Sequence, residues 1–434
     1  MKQKYAQYCD TTCFFSLCAL AFFIPISIAL IEIFISLAII SFTIKKINLR
    51  LLRPEDRSLL SVDTEPPSSP DLRPGFSSGE RIIKPDFEIL KSPLHLFLLL
   101  FFIFSALSLF NSGIYLKKSL LALFFKWGKY ILIFIIAEDT LRNPKRIFTI
   151  LSIVVFGSLL LALDSLSQRF FSFEFIRHRE LTKFNNCAYG ITASFHHAND
   201  FGAYLNVILG FLISCLCIEK NKKIIKTGLW VFIILLELLL FLTFSRGSLI
   251  AFVIMLAAML LLVKKSKLPI IISLIFIILI SGLPIFQEKL NAFCSLTRVE
   301  SWGRLPVWRV TARMIRDNPI IGKGIGTFMD HFPKYAPQFY VQYAHNCYLQ
   351  IWAETGILGL LSFLLFAGTL LYSSISSFLR KQDYVLLGLF AGIFAFLIHS
   401  FIDTDLYSLQ LSVLFWLAAG ILRAKIYTRD YILE

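Results

Sequence analysis

Apolar runs of bilayer-crossing length follow one another along almost the whole chain, and no other feature limits its possible folds as tightly. A helix rises about 1.5 Å per residue, so crossing about 30 Å of hydrocarbon takes about 20 consecutive, mostly apolar residues. Runs of this kind cover roughly 94–110, 117–138, 147–167, 198–218, 227–245, 247–263, 269–284, 348–378, 384–402 and 408–423. No water-soluble core requires so many. Hydrocarbon offers backbone N–H and C=O groups no partners, so each run predicts a helix and the chain predicts an all-α polytopic membrane protein. A hydrophobic content of 57% and a mean hydropathy of +0.72 agree with that class.

The first apolar run, Thr12 to Ile44, is too long for one upright helix and is interrupted at Pro25-Ile26-Ser27. Two short helices forming a hairpin over 1–44 are expected, which brings the total to about 12 transmembrane helices. Ala19-Leu20-Ala21 weakly resembles a signal-peptide cleavage site, but the apolar run continues well beyond it. Residues 45–93 hold Pro54, Pro66, Pro67, Pro70, Pro74, Pro85 and Pro93 among Ser, Asp, Glu and Arg. Such a composition buries no core, and a disordered linker is expected.

Charge then orients the bundle. The formal net charge is +15, and its cations gather in the short links: Lys45 and Lys46, Arg142 to Arg146, Lys220 to Lys226, Lys264 to Lys267, Arg380 and Lys381, Arg423 and Lys425. All fall on one side of the alternation, as the positive-inside rule describes, which puts them and the 45–93 linker in the cytoplasm. Residues 168–197 and 285–346 then face outward, to the periplasm if the membrane is a bacterial inner membrane. A basic balance spread in this way gives no nucleic-acid surface, so no nucleic-acid partner is expected. The expected organisation is a hairpin (1–44), a linker (45–93), a transmembrane core (94–284), one large periplasmic loop (285–346), and C-terminal helices with a short tail (347–434). Cys9, Cys13, Cys18, Cys215 and Cys217 lie in or beside apolar segments, and no Cys or His spacing suggests a metal site. Cys187, Cys294 and Cys347 fall in or beside the outward segments, where a disulfide can form without the spacing choosing a pair.

Against this background the polar residues stand out. Arg246, in Thr243-Phe244-Ser245-Arg246-Gly247, has long apolar runs on both sides, and the nearest acid, Glu237, lies more than two helical turns back. An unpaired guanidinium at the bilayer centre costs about 2.5–3.5 kcal/mol, so Arg246 belongs at a helix end or facing a polar cavity. Lys126 and Lys129, three apart within the 117–138 run, have two readings. They mark an interfacial amphipathic helix leading into a short or tilted span, or they line an anion-binding cavity.

The outward loop carries the remaining candidates. Leu305 to Arg316 reads as a helix with Pro306 in its first turn and Asp317-Asn318-Pro319 ending it. Arg309, Arg313 and Arg316 recur on it at helical spacing beside Trp308, Ala312 and Ile315. Gly322, Gly324 and Gly326 imitate a dinucleotide fingerprint but follow no strand, so they predict a tight turn. His345-Asn346 stands at a membrane boundary, where a general base acting on a lipid substrate has to stand. Asp403-Thr404-Asp405, at the end of a span near His399, reads as a polar cap on a helix hairpin with His399 as a buried partner. Adjacent His196 and His197 point to different helix faces and make a poor metal pair.

Taken together, these residues resemble the O-antigen ligase and polymerase-like membrane glycosyltransferases. The resemblance rests on Ser245-Arg246-Gly247 and on Arg304 four residues before Trp308. It continues through Asp317, Pro319, Gly322, Gly324 and Gly326, then His345, Asn346, Tyr348, Leu349, Glu354 and Gly356, with His197-Ala198-Asn199 and Ala203-Tyr204-Leu205 upstream. It covers about 194 to 405. What it implies is a GT-C-like, metal-independent, inverting enzyme without cofactors. Such an enzyme moves a glycan from undecaprenyl diphosphate to an acceptor hydroxyl at the periplasmic face, with lipid A core as the favoured acceptor. It also implies His345 as the base, with Arg246 and Arg304 on the diphosphate. Substrate contacts are expected from Arg309, Arg313, Asn346, Tyr348, Lys126, Lys129, His197 and Asn199. A polymerase or a protein O-oligosaccharyltransferase on the same scaffold is the alternative. A non-catalytic transporter of lipid-linked glycan is a third, and it predicts internal repeats that the sequence does not show.

Overall fold

Pro25 separates two antiparallel helices, α1 (Lys2–Phe23) and α2 (Ile28–Arg50). Cys13 Sγ reaches the Ala38 carbonyl at 3.7 Å, and the Phe23 and Phe34 rings stack 5.6 Å apart. The computed structural model describes residues 2–50, 92–180, 190–219, 222–284, 304–337 and 341–427. Most of the 45–93 linker, much of the 285–346 loop, Cys187 and Cys294 therefore lie outside the described residues. Cys347 is a free, buried thiol.

The chain continues through α3 (Pro93–Leu107), whose proline occupies the first turn, where a missing N–H costs no hydrogen bond. A continuous helical stretch from Gly113 to Thr140 follows, built of α4 (Leu116–Leu121), a π-helical segment Ala122–Gly128, and α5 (Lys129–Thr140). It is long and apolar enough to cross in one piece. α6 (Pro144–Phe171) is capped by Asn143, which accepts from the Lys145 N–H at 2.9 Å. α7 (Ala198–Leu216), α8 (Lys223–Leu242), α9 (Arg246–Leu262) and α10 (Leu268–Ser281) complete the middle of the chain. Beyond them lie α11 (Arg304–Asp317), the single turn α12 (Phe328–His331), α13 (Cys347–Lys381), α14 (Tyr384–His399) and α15 (Leu409–Tyr427). A small antiparallel ladder, β1 (Phe173–Glu174) with β2 (Arg179–Glu180), departs from the all-helical expectation.

Among the described residues eight helices are long and apolar enough to cross a membrane, where the apolar runs suggest about twelve. The difference lies in α9, α10 and α14, which are apolar but shorter, and in α1, whose first turns carry Lys4, Gln7 and Asp10. α7 and α15 form the centre of the bundle, with 72% and 83% of their apolar windows buried against 22% in α2, which leaves Ile33, Leu37, Ile40 and Ile44 to face lipid. α7 meets α14 through glycines. A Cβ on Gly210 would come 2.9 Å from the Gly392 nitrogen, so only small residues permit this approach, as in other membrane helix pairs. One end of the bundle is closed by ion pairs, with Lys45 at 2.6 Å from both Asp10 and Asp139, and Lys425 at 2.7 Å from Asp383.

At the other end the glycine-rich segment docks into a break in α13. Gly356 has φ +73° and ψ −179°, which interrupts the helix and releases backbone groups inside the bundle. Those groups find new partners. The Lys323 and Gly324 N–H groups donate to the Ala353 and Glu354 carbonyls at 2.9 Å, and the Ile357 N–H donates to Pro319 at 2.8 Å. The Glu354 carboxylate accepts from the Gly326 N–H at 2.9 Å and from the Tyr407 hydroxyl at 3.0 Å. Unpaired backbone at this depth costs several kcal/mol per group, so the docked turn and the broken helix require each other. A Cβ on Gly356 would sit 2.0 Å from the Ile320 carbonyl oxygen, in a backbone region that is essentially confined to glycine and costs other residues about 1–3 kcal/mol. Gly356→Ala is therefore expected to abolish folded protein in a detergent size-exclusion assay. Gly368→Ala, with nothing within 4 Å of the new methyl and a helical backbone, is expected to raise stability by about 0.5–1 kcal/mol. Equal folded yields from the two variants would contradict this account of the break.

Candidate functional site

Four helix N-termini gather around the link between α14 and α15 at the glycine-turn end of the bundle. Asp403 is a partner common to three of them. Its Oδ2 accepts from Asn199 Nδ2 in the first turn of α7 at 2.6 Å and lies 3.6 Å from the guanidinium of Arg304, the first residue of α11. Its Oδ1 lies 3.2 Å from His345 Nδ1 and accepts from the Thr404 N–H at 2.9 Å. Burial alone pushes a carboxyl group upward. Here the His345 hydrogen bond, the charge of His399 and the Thr404 N–H outweigh it and hold Asp403 well below the usual carboxylate range. Asp405, two residues on, moves the opposite way, raised by burial against the opposing pull of His399. Two neighbouring carboxyl groups are thus driven apart, and Asp403 is the one that stays ionised.

Asp405 belongs to a layer beneath the site. Both its oxygens lie 2.9 Å from His399 Nδ1, and Oδ2 accepts from Ser400 Oγ at 2.9 Å, with the His399 and Asp405 side chains each 1% exposed. The His399 carbonyl accepts from the Ile402 and Asp403 N–H groups, so the turn presenting Asp403 is built on this residue. His399 also touches α9. A Cβ on Gly247 would lie 3.2 Å from His399 Nε2, which explains a glycine directly after Arg246 and sets the half-buried Arg246 beside this layer. Ser245 caps α9 by accepting from the Ser248 N–H at 3.3 Å.

His345 has φ +49° and its side chain is 47% exposed, so it projects from a left-handed corner just before α13. Both neighbours are pinned. The Ala344 N–H donates to Gln350 Oε1 at 2.9 Å, and the Ala344 carbonyl accepts from Trp308 Nε1 of α11 at 3.0 Å. Asn346 caps α13 by accepting from the Leu349 N–H at 2.9 Å. Helix N-termini carry positive potential, so four of them beside two arginines favour an anionic ligand. Among the described residues no group of His, Cys, Asp and Glu is arranged to hold a metal ion.

Not every residue singled out by sequence joins this group. Asn346 is engaged as a cap, and the Tyr348 hydroxyl donates to the Leu397 carbonyl at 2.7 Å with its ring 4.2 Å from Phe401, so both serve the packing of α13. Asn199 supports Asp403, while His197 occupies the α7 N-cap position with an exposed ring. Lys129 is held by Glu32 at 2.5 Å. Lys126 donates to the Tyr407 carbonyl at 3.2 Å. Arg309, Arg313 and Arg316 are exposed on α11, whose buried face is Val310, Thr311, Met314 and Ile315 rather than the row containing Ala312. Asp403 is the site residue that sequence reasoning did not single out. The acidic pair reads as a cap with His399 as a buried partner, and Asp405 is that partner, while Asp403 instead faces His345 and Arg304. The signal available was an acidic pair at the end of an apolar run, and two residues of offset decided which acid faced the site.

A helical bundle with these spans and this end defines a multi-pass membrane protein. Residues 230–364 match the family model described as O-Antigen ligase, a stretch that contains Arg246, Arg304, the glycine turn and His345. Over that stretch the chain is similar to O-antigen ligases, which supports the O-antigen ligase/polymerase type of membrane glycosyltransferase. Asn199 and Asp403 lie outside the matched residues. No curated protein matches the chain.

Proposed function

We propose that the protein transfers a glycan from undecaprenyl diphosphate to an acceptor hydroxyl at the periplasmic face of a bacterial inner membrane, most simply in O-antigen ligation to lipid A core. The observation that carries this reading is His345 Nδ1 against an ionised Asp403 that also faces Arg304. With its Nδ1 proton donated to Asp403, the imidazole keeps its Nε2 lone pair for the acceptor hydroxyl. Nε2 takes the hydroxyl proton while the oxygen attacks the anomeric carbon, and the bond from that carbon to the diphosphate oxygen breaks. Direct displacement inverts the anomeric configuration. Negative charge grows on the leaving diphosphate, where Arg304 and Arg246 offer planar forks that remain protonated. A divalent cation has no task in this scheme.

The test is a defined reaction. Full-length protein in liposomes receives carrier-linked glycan together with lipid A core and a second carrier-linked glycan as competing acceptors. Product on lipid A core, at a rate unchanged by a chelator, is the expected outcome. Extension of the carrier-linked glycan would make the protein a polymerase on the same chemistry, and loss of all product on chelation would remove the metal-free mechanism.

A further inference from the structure

Lys126 is a cation inside a membrane span that no carboxylate approaches within ion-pair distance among the described residues, although the buried Glu354 carboxylate acts on it from farther away. It sits in the π-helical segment Ala122–Gly128, a geometry that recurs at functional sites because it turns side chains out of helical register. The segment begins at Ala122, on which Gly326 of the docked turn rests so closely that a Cβ there would come 2.3 Å from the Ala122 methyl. Two of the neighbouring lysines of the same stretch are neutralised, Lys118 by Asp330 at 2.6 Å and Lys129 by Glu32 at 2.5 Å. Lys126 has no ion pair among the described residues. One of its three donors goes to the Tyr407 carbonyl at 3.2 Å, and its ammonium lies 5.0 Å from the centre of the Tyr407 ring. Holding an ammonium in a span costs enough that such residues ordinarily face a partner or a ligand.

Its surroundings differ on two sides. Outward, Leu116, Lys117, Leu120, Leu121, Phe124 and Phe125 line a shallow, mostly apolar groove, with Phe125 72% exposed. Inward, the Tyr407 ring lies 6.2 Å from the ring of Tyr343, two residues before His345. Phe124 and Phe125 of that face directly precede Lys126, and Lys126 in turn touches Tyr407, whose ring neighbours Tyr343. We propose that Lys126 is the lateral access contact for the lipid-linked donor, receiving the diphosphate of a polyprenyl carrier from the bilayer before Arg304 and Arg246 do, a step that rests on the glycosyl-transfer reading. The polyprenyl chain lies along the Phe124 and Phe125 face. The two donors of Lys126 not used by Tyr407 take phosphate oxygens.

The experiment measures binding without transfer. Full-length protein in phosphatidylcholine nanodiscs is titrated with undecaprenyl diphosphate, comparing wild type with Lys126→Gln and Lys126→Arg. Gln keeps an N–H for the Tyr407 carbonyl while removing the charge. Its affinity is expected to fall about tenfold, the size of one charge-assisted contact, with Arg within a fewfold of wild type. Phosphatidylglycerol at equal mole fraction is expected to compete poorly. Unchanged affinity in Lys126→Gln would make Lys126 a structural tie to Tyr407 and overturn the proposal, and so would equal competition by phosphatidylglycerol. Should the Gln variant not fold, a photoreactive polyprenyl diphosphate on wild-type protein decides instead: crosslinks within 116–126 support the contact, and their absence overturns it. A protein that binds the diphosphate through Lys126 yet transfers no glycan would defeat the transfer reading alone.

Discussion

His345→Asn is expected to lower turnover about 10²–10⁴-fold, the usual contribution of a positioned general base, while leaving affinity for carrier-linked glycan within about twofold. Asn is the informative replacement because it tolerates the left-handed backbone that position 345 adopts at φ +49°. His345→Ala would add a conformational cost to the chemical one. Folding is expected to survive, since the side chain is half exposed and the corner is held by Ala344 and Asn346. Asp403→Asn should lose activity in the same direction, because an amide can present an N–H to Nδ1 and favour the wrong tautomer. The double variant should be little worse than either single one, as expected of residues acting as a unit. Turnover per folded molecule is the measurement. Normal specific activity in His345→Asn would remove the base from the mechanism, and a purely structural histidine would instead show low yield with normal specific activity.

Lysine at either arginine is expected to cost about 10–100-fold in kcat/KM for the donor. The ammonium keeps the charge but loses the second, parallel hydrogen bond to phosphate, and hydrogen bonds to charged groups contribute about 1.5–3 kcal/mol each. Arg304 also lies 3.6 Å from Asp403, a separation that leaves guanidinium donors for a ligand. Single Ala replacements at the exposed Arg309 and Arg313 should stay within about threefold of wild type, because such solvated cations contribute little individually. The comparison is made at low and high salt. Full activity in Arg246→Lys and Arg304→Lys, with losses in Arg309→Ala or Arg313→Ala, would move phosphate recognition from the bundle end to the outer face of α11.

Hydropathy makes the membrane class and most helix positions readable in the sequence, because a long apolar run has one stable backbone form in hydrocarbon. The break at Pro25 and the helix from Arg304 to Asp317 were readable for local reasons, a proline interrupting one and signalling the start and end of the other. The glycine turn was legible as a turn because three glycines at alternate positions suit no helix, and all three adopt positive φ. Arg246 and His345 stood out because each is expensive or conspicuous where it lies, whatever surrounds it.

Partnership was not legible. Arg246 appeared isolated because its nearest acid in sequence is two turns away, yet folding sets α9 against the His399–Asp405 pair through Gly247. Asp403 joins His345 across 58 residues and Asn199 across 204, and Glu354 holds a turn 28 residues upstream. Lys126 and Lys129 look alike in the sequence, but Glu32 of α2 reaches only Lys129. The sequence by itself determined which segments enter the membrane and which residues cost too much to be there without purpose, since both follow from the transfer of single groups between water and hydrocarbon. Which carboxylate meets which cation was decided only by tertiary structure, because that depends on the rotation and depth of whole helices packed through glycine contacts such as Gly210 on Gly392.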